Sequence, residues 1–522
     1  MSRRSRTIRI TTPSWRRSAN FWEADARGLE ARCGEPIASR ASPPPFGDMR
    51  QRAAASEETL LFPTEPSISV GLLTDVEHAR FTLEGEFRTP EGKTFPAGEY
   101  RAIPRPHPAA LEIRDAQQRL VEITPTLILT PVNPATAAFT LFDVPVGKGF
   151  HWERREAHRY AGTLAIRLSP SASGAAPRLA VINELPVEIY LASVVASEMS
   201  AHAPWEFLKA HAIISRSWLL ANLTRRTNDV ESASSPEQPQ PATGEMEILR
   251  WTDRTTHREF DVCADDHCQR YYGLAPIATS DVVRAVMETR GQVLFFKGQI
   301  GDARFSKCCG GATEEYRSVW EDRDVPYLRG GRFDGTEWPP NFPRPLTVEA
   351  HAAAWITGAP PAYCHTTDAR ALEAALPEVD RPTRDFFRWE RTIGQEELQA
   401  LLQARLGLDL GAIRRLEPLQ RGSSGRLVRL RIVGERERVI IGKELVIRRA
   451  LSGTHLYSSA FIIFPEDIRA GVPRRFRLRG AGWGHGVGLC QIGAAVMAQQ
   501  GRTCQQILAH YYAPAQIARV YE

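Results

Sequence analysis

At Pro186 the chain changes period. Before it, the segments ISVGLLT, ARFTLEGEF, LVEITPTLILT, AAFTLFDV, TLAIRL and LAVINELP are short β-branched or aromatic runs broken by Pro and Gly, which is the pattern of strands. After it, PVEIYLASVVASEM and PWEFLKAHAIISRSWLLANL carry apolar residues at helical spacing. Each opens on a proline, whose missing N–H costs nothing in a first turn. A long run of strands followed by paired helices predicts an α+β chain: a strand-rich N-terminal module and a mixed α/β core forming a substrate cleft. The expected units are a disordered Arg-, Ser- and Pro-rich leader over 1–64, a β module over 65–175 and a core over 176–522. The core carries insertions near 224–250, polar and Pro-rich, and near 330–385, Pro- and Ala-rich with a helix near ALEAAL. Beyond these, QEELQALLQARLGL reads as a helix, and RLVRLRIVG and RVIIGKELVIRRA read as strands.

Composition removes several classes of function. With 43% hydrophobic and 24% charged residues the 522-residue chain is an ordinary globular sequence, neither collagen-like nor wholly disordered. A net charge of +5 from 66 basic and 61 acidic residues is too small for a nucleic-acid-binding protein of this length. No apolar stretch approaches the roughly 18 residues of a membrane span. The N-terminal MSRRSRTIRITTPSWRRSANFW has the basic residues of an export signal without its apolar stretch. Nucleotide chemistry is unsupported: in GAGWGHGVGLCQ every placement of G-x-G-x-x-G ends on a residue other than Gly. Likewise, the P-loop that Gly92-Lys93-Thr94 mimics would need its first glycine at Phe87.

Three constellations remain. Leu191, Val194, Val195 and Glu198 fall at i, i+3, i+4 and i+7, so a carboxylate continues an apolar stripe. Such an acid either lines a cleft, where partial burial raises its pKa toward that of a general acid, or turns to solvent where the helix ends. On the next helix Arg216 interrupts a similar stripe; it either holds a carboxylate or sugar hydroxyl, or lays its stem along the apolar face.

The eight cysteines are too sparse and uneven for a disulfide scaffold. His257, Cys263 and Cys268, with His267 beside them, offer the thiolate and imidazole ligands that tetrahedral zinc prefers; free thiols or a disulfide are the other readings. Cys308, Cys309 and Cys364 form either a second thiol cluster or buried reduced cysteines. The third constellation is the run from Gly480 to Gln491. Its alternating glycines let backbone approach a ligand, with His485 and Gln491 as hydrogen-bonding groups, or simply make a tight turn before a helix.

These residues resemble the family of the sporulation stage II protein D and the amidase enhancer. NELPVEIYLASVVASEMS with LKAHAIISRSWLLAN resembles its leading signature, GGATEEYRSVWED with VPYL its middle segment, and GAGWGHGVGLCQIGAAVMAQQGRTCQQILAHYYAPAQI its closing signature. The blocks occur in the family's order. The resemblance implies a peptidoglycan lytic transglycosylase that acts on stem-peptide-free glycan strands in the cell envelope, with Glu198 as the acid/base. It implies zinc on His257, Cys263 and Cys268, leaving His267 spare. Arg216, His485 and Gln491 are the expected substrate-binding groups. The rival reading is a non-catalytic wall-binding or amidase-activating protein, with a cell-wall amidase as partner. A zinc-stabilised structural protein is a third.

Overall fold

The computed structural model describes residues 61–107, 109–148, 153–169, 177–229, 245–249, 257, 259–274, 277 and 280–522. The leader expected over 1–64, all but its last four residues, and most of the insertion expected near 224–250 lie outside the described residues, as does Cys33. The chain folds as α+β in two units, one built from Thr74–Phe142 and Arg159–Asn183, the other containing Glu184–Glu522.

The first unit consists of antiparallel strands. Ala79–Glu84 pairs on one side with Gly98–Arg105 and on the other with Ala138–Val146, placing Phe81 opposite Tyr100 and Leu141. Ala79, Phe81 and Leu83 are buried while Arg80 is exposed, the alternation of a strand with one covered face. Thr163–Ser169 pairs with Thr126–Pro131 in the same way, Leu164 facing Leu129 and Ile166 facing Leu127, all buried.

In the second unit the first helix is Val187–Glu198, with Pro186 as its N-cap in extended conformation. All its residues but Ile189 are buried, so it is a core helix rather than an amphipathic surface one. The long helix Trp205–Asp229 and the short helix Ser280–Glu288 pack against it. One buried ion pair joins the first two helices. Arg216 reaches Glu188 through Nε at 3.0 Å and Nη2 at 2.5 Å, and Tyr521 Oη donates to the same carboxylate at 2.6 Å. The Gly291 amide also donates to it, at 3.2 Å. This approach requires glycine: φ is +67°, and a Cβ there would stand 2.1 Å from the Tyr521 carbonyl oxygen.

The second unit holds a further apolar core over 389–478, with Trp389, Leu398, Leu402, Leu430, Ile441, Ile447 and Phe461 among its buried members. It is built from the three-stranded sheet of Arg388–Gly394, Arg475–Ala481 and Phe461–Glu466, and from the antiparallel strands Ile413–Arg421, Leu427–Gly434 and Arg438–Gly442. GKELVIRRA, expected as a strand, is a strand only to Gly442 and then the helix Glu444–Ala450. Val446, Ile447 and Ala450 face the core at helical spacing, with Glu444 in the first turn and Arg448 and Arg449 in the last, where the helix dipole favours them. A short apolar run does not by itself distinguish the two periods. Among the described residues no helix is long and apolar enough to cross a membrane.

Candidate functional site

Glu198 is the last residue of the first helix and is 9% exposed. Its carboxylate accepts the backbone N–H of Arg270 at 3.0 Å. The Arg270 side chain turns away, donating to Asp266 at 2.7 Å and to Asp380 at 3.1 Å. Lys307 Nζ donates to the Glu198 carbonyl at 2.8 Å and ion-pairs with Asp380 at 2.8 Å. Burial pushes the Glu198 carboxyl above its ordinary range, and the charges of Arg270 and Lys307 only partly offset that.

The same arrangement holds Asp380 below its ordinary range: burial opposes this, but Lys307 and Arg270 outweigh it. One buried carboxyl is therefore biased toward its neutral form while its neighbour stays ionised, a separation typical of acid/base sites.

The segment expected as an insertion near 330–385 reaches this site. Ala375 ends the short helix Ala369–Ala375, and its carbonyl accepts the Ser200 N–H at 2.8 Å, just beyond the Glu198 helix. Asp380 follows five residues later. Lys307 lies just ahead of the middle block, and its carbonyl accepts the Ile492 N–H of the closing block at 3.1 Å.

Gln491 is buried. Its Nε2 lies 2.9 Å from His211 Nε2, and His211 Nδ1 lies 3.2 Å from Ser215 Oγ. An amide N–H donating to Nε2 leaves the proton on Nδ1. Burial, then the Lys307 charge, lowers His211 to about 3, so it is a neutral imidazole. His485 is half-buried and packs edge-on against Trp320 with ring centroids 4.9 Å apart, while its Nδ1 accepts the Val487 N–H.

Arg216, expected to hold a carboxylate or a sugar hydroxyl, holds the carboxylate of Glu188. It is 0% exposed and gives its remaining donors to the carbonyls of Gln292 and Val286. It is a core ion pair that sets the two helices, beyond the reach of a substrate. Gln491 is likewise turned inward, onto His211.

Sequence reasoning missed Lys307, Arg270, Asp380 and His211. Lys307 stands in SKCCGGATEE, whose polar residues and Gly-Gly pair fit either a site-lining turn or a corner between strands. Asp380 sits in an Ala- and Pro-rich stretch that carries no comparable signal.

His257, Cys263, His267 and Cys268 come together with all their ligand atoms within 4.8 Å of one another. Cys268 Sγ lies 3.4 Å from His257 Nε2 and 3.3 Å from His267 Nδ1, and Cys263 Sγ lies 3.7 Å from the same Nδ1. Two atoms bound to one tetrahedral zinc at the usual bond lengths would stand about 3.6 Å apart. His267, expected to be spare, belongs to the group. Strand pairing fixes one end, with Val262 and Cys263 lying parallel to Val70 and Gly71. The Asp261 carboxylate accepts from both the amide and the hydroxyl of Ser69 at 2.8 Å.

Residues 175–296, which include the Glu198 helix and this cluster, match the family model described as stage II sporulation protein; residues 314–488 match a domain of unknown function, DUF8618. The stage II sporulation protein D of Bacillus amyloliquefaciens is 23% identical over 331 residues, which is 63% of this chain and 74% of that one. The protein of the same name from Bacillus subtilis is 23% identical over 338 residues, 65% of this chain and 76% of that one. An uncharacterised protein of Brachyspira hyodysenteriae is 29% identical over 150 residues; the chain spans about a third of its length. Over residues 175–296 the chain is similar to the stage II sporulation protein family, and the two Bacillus proteins extend that likeness at low identity.

Proposed function

We propose that the protein is a lytic transglycosylase of the cell envelope. It cleaves the bond between N-acetylmuramic acid and N-acetylglucosamine in glycan strands free of stem peptides. The observation that carries this reading is the single carboxyl of Glu198, buried at a helix end, held by one amide and biased toward its neutral form.

Hydrolytic glycosidases ordinarily set two carboxyl groups across the bond. Here the acids Asp266 and Asp380 are committed, Asp266 to Arg270 and Asp380 to Arg270 and Lys307. One acid suffices when the nucleophile belongs to the substrate. Neutral Glu198 gives its proton to the glycosidic oxygen as the bond to the muramic acid C1 breaks. The resulting carboxylate takes the proton of the C6 hydroxyl as that oxygen bonds to C1, closing a 1,6-anhydro ring and restoring the acid without consuming water. Lys307 and Arg270 replace Arg216 as the charged groups that set the electrostatics around Glu198, and Gln491 orients His211 beside them.

The group of His257, Cys263, His267 and Cys268 fits a zinc ion in a closed, four-ligand site, which supplies a cross-link and no open coordination position. What these residues do for the reaction is hold the chain that runs from Cys268 to the Arg270 amide. The partners of this reading are glycan strands and, in the same compartment, a cell-wall amidase.

Mass spectrometry of digests of stem-free glycan strands tests the reading. The wild type yields 1,6-anhydromuramic ends and Glu198→Gln yields none. Undiminished product from Glu198→Gln removes the assignment. A wild type that forms no such ends yet accelerates an amidase replaces it with the activating-protein reading.

A further inference from the structure

A second group of ligand atoms lies deep in the fold, apart from the one above. Cys309, Asp334, Cys364 and Cys490 are all buried, and their ligand atoms lie within 4.8 Å of one another. The four residues come from separate stretches of chain. Cys309 follows the strand Phe305–Ser306, which lies parallel to Leu489–Cys490 with Ser306 opposite Cys490. Asp334 and Cys364 belong to the segment between the middle and closing blocks.

Several details suit a metal site better than a packed apolar core. Cys309 Sγ and Cys364 Sγ are 3.8 Å apart. That is about the edge of a tetrahedron whose metal–sulfur bonds are about 2.3 Å. The Cys309 N–H donates to Cys490 Sγ at 3.2 Å, the kind of outer hydrogen bond that supports a thiolate ligand. The Asp334 carboxylate is oriented by Tyr511 Oη at 2.5 Å and by the Cys364 N–H at 3.0 Å. These are neutral donors for a fully buried acid, and such an acid needs a counter-charge. Gly493 closes in on it so tightly that a Cβ would stand 2.4 Å from Asp334 Oδ1.

Three thiolates and a carboxylate around a divalent ion leave a net charge of about −2. Two guanidinium groups flank the site. Arg426 donates to the Cys309 carbonyl and Arg388 to the Gly310 carbonyl, each at 3.1 Å. Their charges balance the site, which otherwise would bury uncompensated charge.

We propose that Cys309, Asp334, Cys364 and Cys490 bind a second thiolate-preferring divalent cation of the zinc type. The site is closed and structural, and it staples the segment around Asp334 and Cys364 to the turn that leads into Gln491. On binding, the three thiols and the carboxyl give up their protons and each donates an electron pair to the ion; no electron transfer is involved. Cys308, also buried, touches Cys364 and Cys490 from beside the cluster and is not one of the four residues whose ligand atoms lie within 4.8 Å of one another.

The test is metal content of the full-length chain by mass spectrometry, with the first site removed by Cys263→Ser/Cys268→Ser. That variant is expected to retain about one equivalent of zinc, and further substitution of Cys309→Ser and Cys364→Ser is expected to release it. If the quadruple variant fails to fold, cobalt replacement in the double variant decides: an intense thiolate-to-cobalt charge-transfer band supports the site. A double variant without metal, or one in which denatured thiol counts reveal a Cys309–Cys364 disulfide, overturns it. Full metal content after loss of Cys309 and Cys364 overturns it as well. Because the first site is absent from every decisive sample, failure of the transglycosylase reading leaves this result unaffected.

Discussion

The amide of Arg270 donates to the carboxylate of Glu198 at 3.0 Å, and Arg270 stands two residues beyond Cys268. The cluster of metal-ligating residues and the acid/base are thus joined by a dipeptide of backbone. A change at the cluster is felt at Glu198 as a change in one hydrogen bond to its ionised form.

Removing the cluster therefore alters proton affinity as well as stability. In Cys268→Ser the Arg270 amide is no longer held in place, and the Glu198 carboxyl rises further. The alkaline limb of the rate profile moves to higher pH while kcat falls. A loss of rate with an unmoved pH profile would refute the connection.

Lys307→Met works on the same group through charge. Lys307 is one of two cations that lower the Glu198 pKa against the larger effect of burial, so its loss shifts the alkaline limb upward. The check is kcat/KM against pH on stem-free strands, beside Lys307→Arg, which restores the charge and returns the limb toward the wild type.

Glu198→Gln trades activity for stability. The rate falls by roughly 10²–10⁴-fold, the usual contribution of a positioned proton donor. The folded pKa of Glu198 lies above its unfolded value, so the folded state binds the proton more tightly and stability is lost as pH rises through the folded pKa. An amide is free of that penalty. Thermal melts at neutral pH are expected to show the inactive variant at least as stable as the wild type, and a clear loss of Tm counts against a buried acid.

The Glu188–Arg216 pair is expected to contribute to stability alone. Truncation to Arg216→Leu leaves a buried carboxylate with only Tyr521 and the Gly291 amide, at a cost of about 3–5 kcal/mol. The double variant Glu188→Gln/Arg216→Leu recovers part of that cost. Urea unfolding measures both, and the products made by any folded fraction stay the same.

Acid is expected to destabilise the chain ahead of any loss of catalysis. Burial, the largest cause in each case, holds His158, His211, His455, His485 and His510 below the ordinary histidine value of 6.5, with His211 and His455 at about 3. Folded pKa values are depressed, so stability is full above pH 6.5 and is lost as pH falls toward 3, at about 1.4 kcal/mol per pH unit for each histidine titrating only in the unfolded chain. His211→Asn flattens that slope. Unfolding curves between these pH values read it directly.

What could be read from the residues beforehand follows from range. The helix Val187–Glu198 was legible because its signals are local: a proline at the start and apolar residues every three or four positions. So was the oddity of Glu198, a charge in an apolar stripe. Strands of the first unit such as Ala79–Glu84 and Thr163–Ser169 were legible for the same reason, through alternation and punctuation. Asp380 was not, since its meaning depends on Lys307 and Arg270, which lie 73 and 110 positions away in the chain. Arg216 was half legible. The sequence marked a buried cation, and only packing could say that its carboxylate is Glu188. Cys309, Cys364 and Cys490 have no spacing that a local pattern could register, because tertiary contacts alone gather them.

Tyr521 Oη closes on a carboxylate 333 positions earlier in the chain, and Leu294 pairs with Ile517 in the sheet beside it. Such distant contacts make contact order high and folding slow. During synthesis from the N-terminal side, the helix bearing the acid leaves the ribosome long before the strand and the phenol that complete its surroundings. For that interval the nascent chain holds Glu188 and Arg216 without their full complement of partners, and it is then that chaperones would find it.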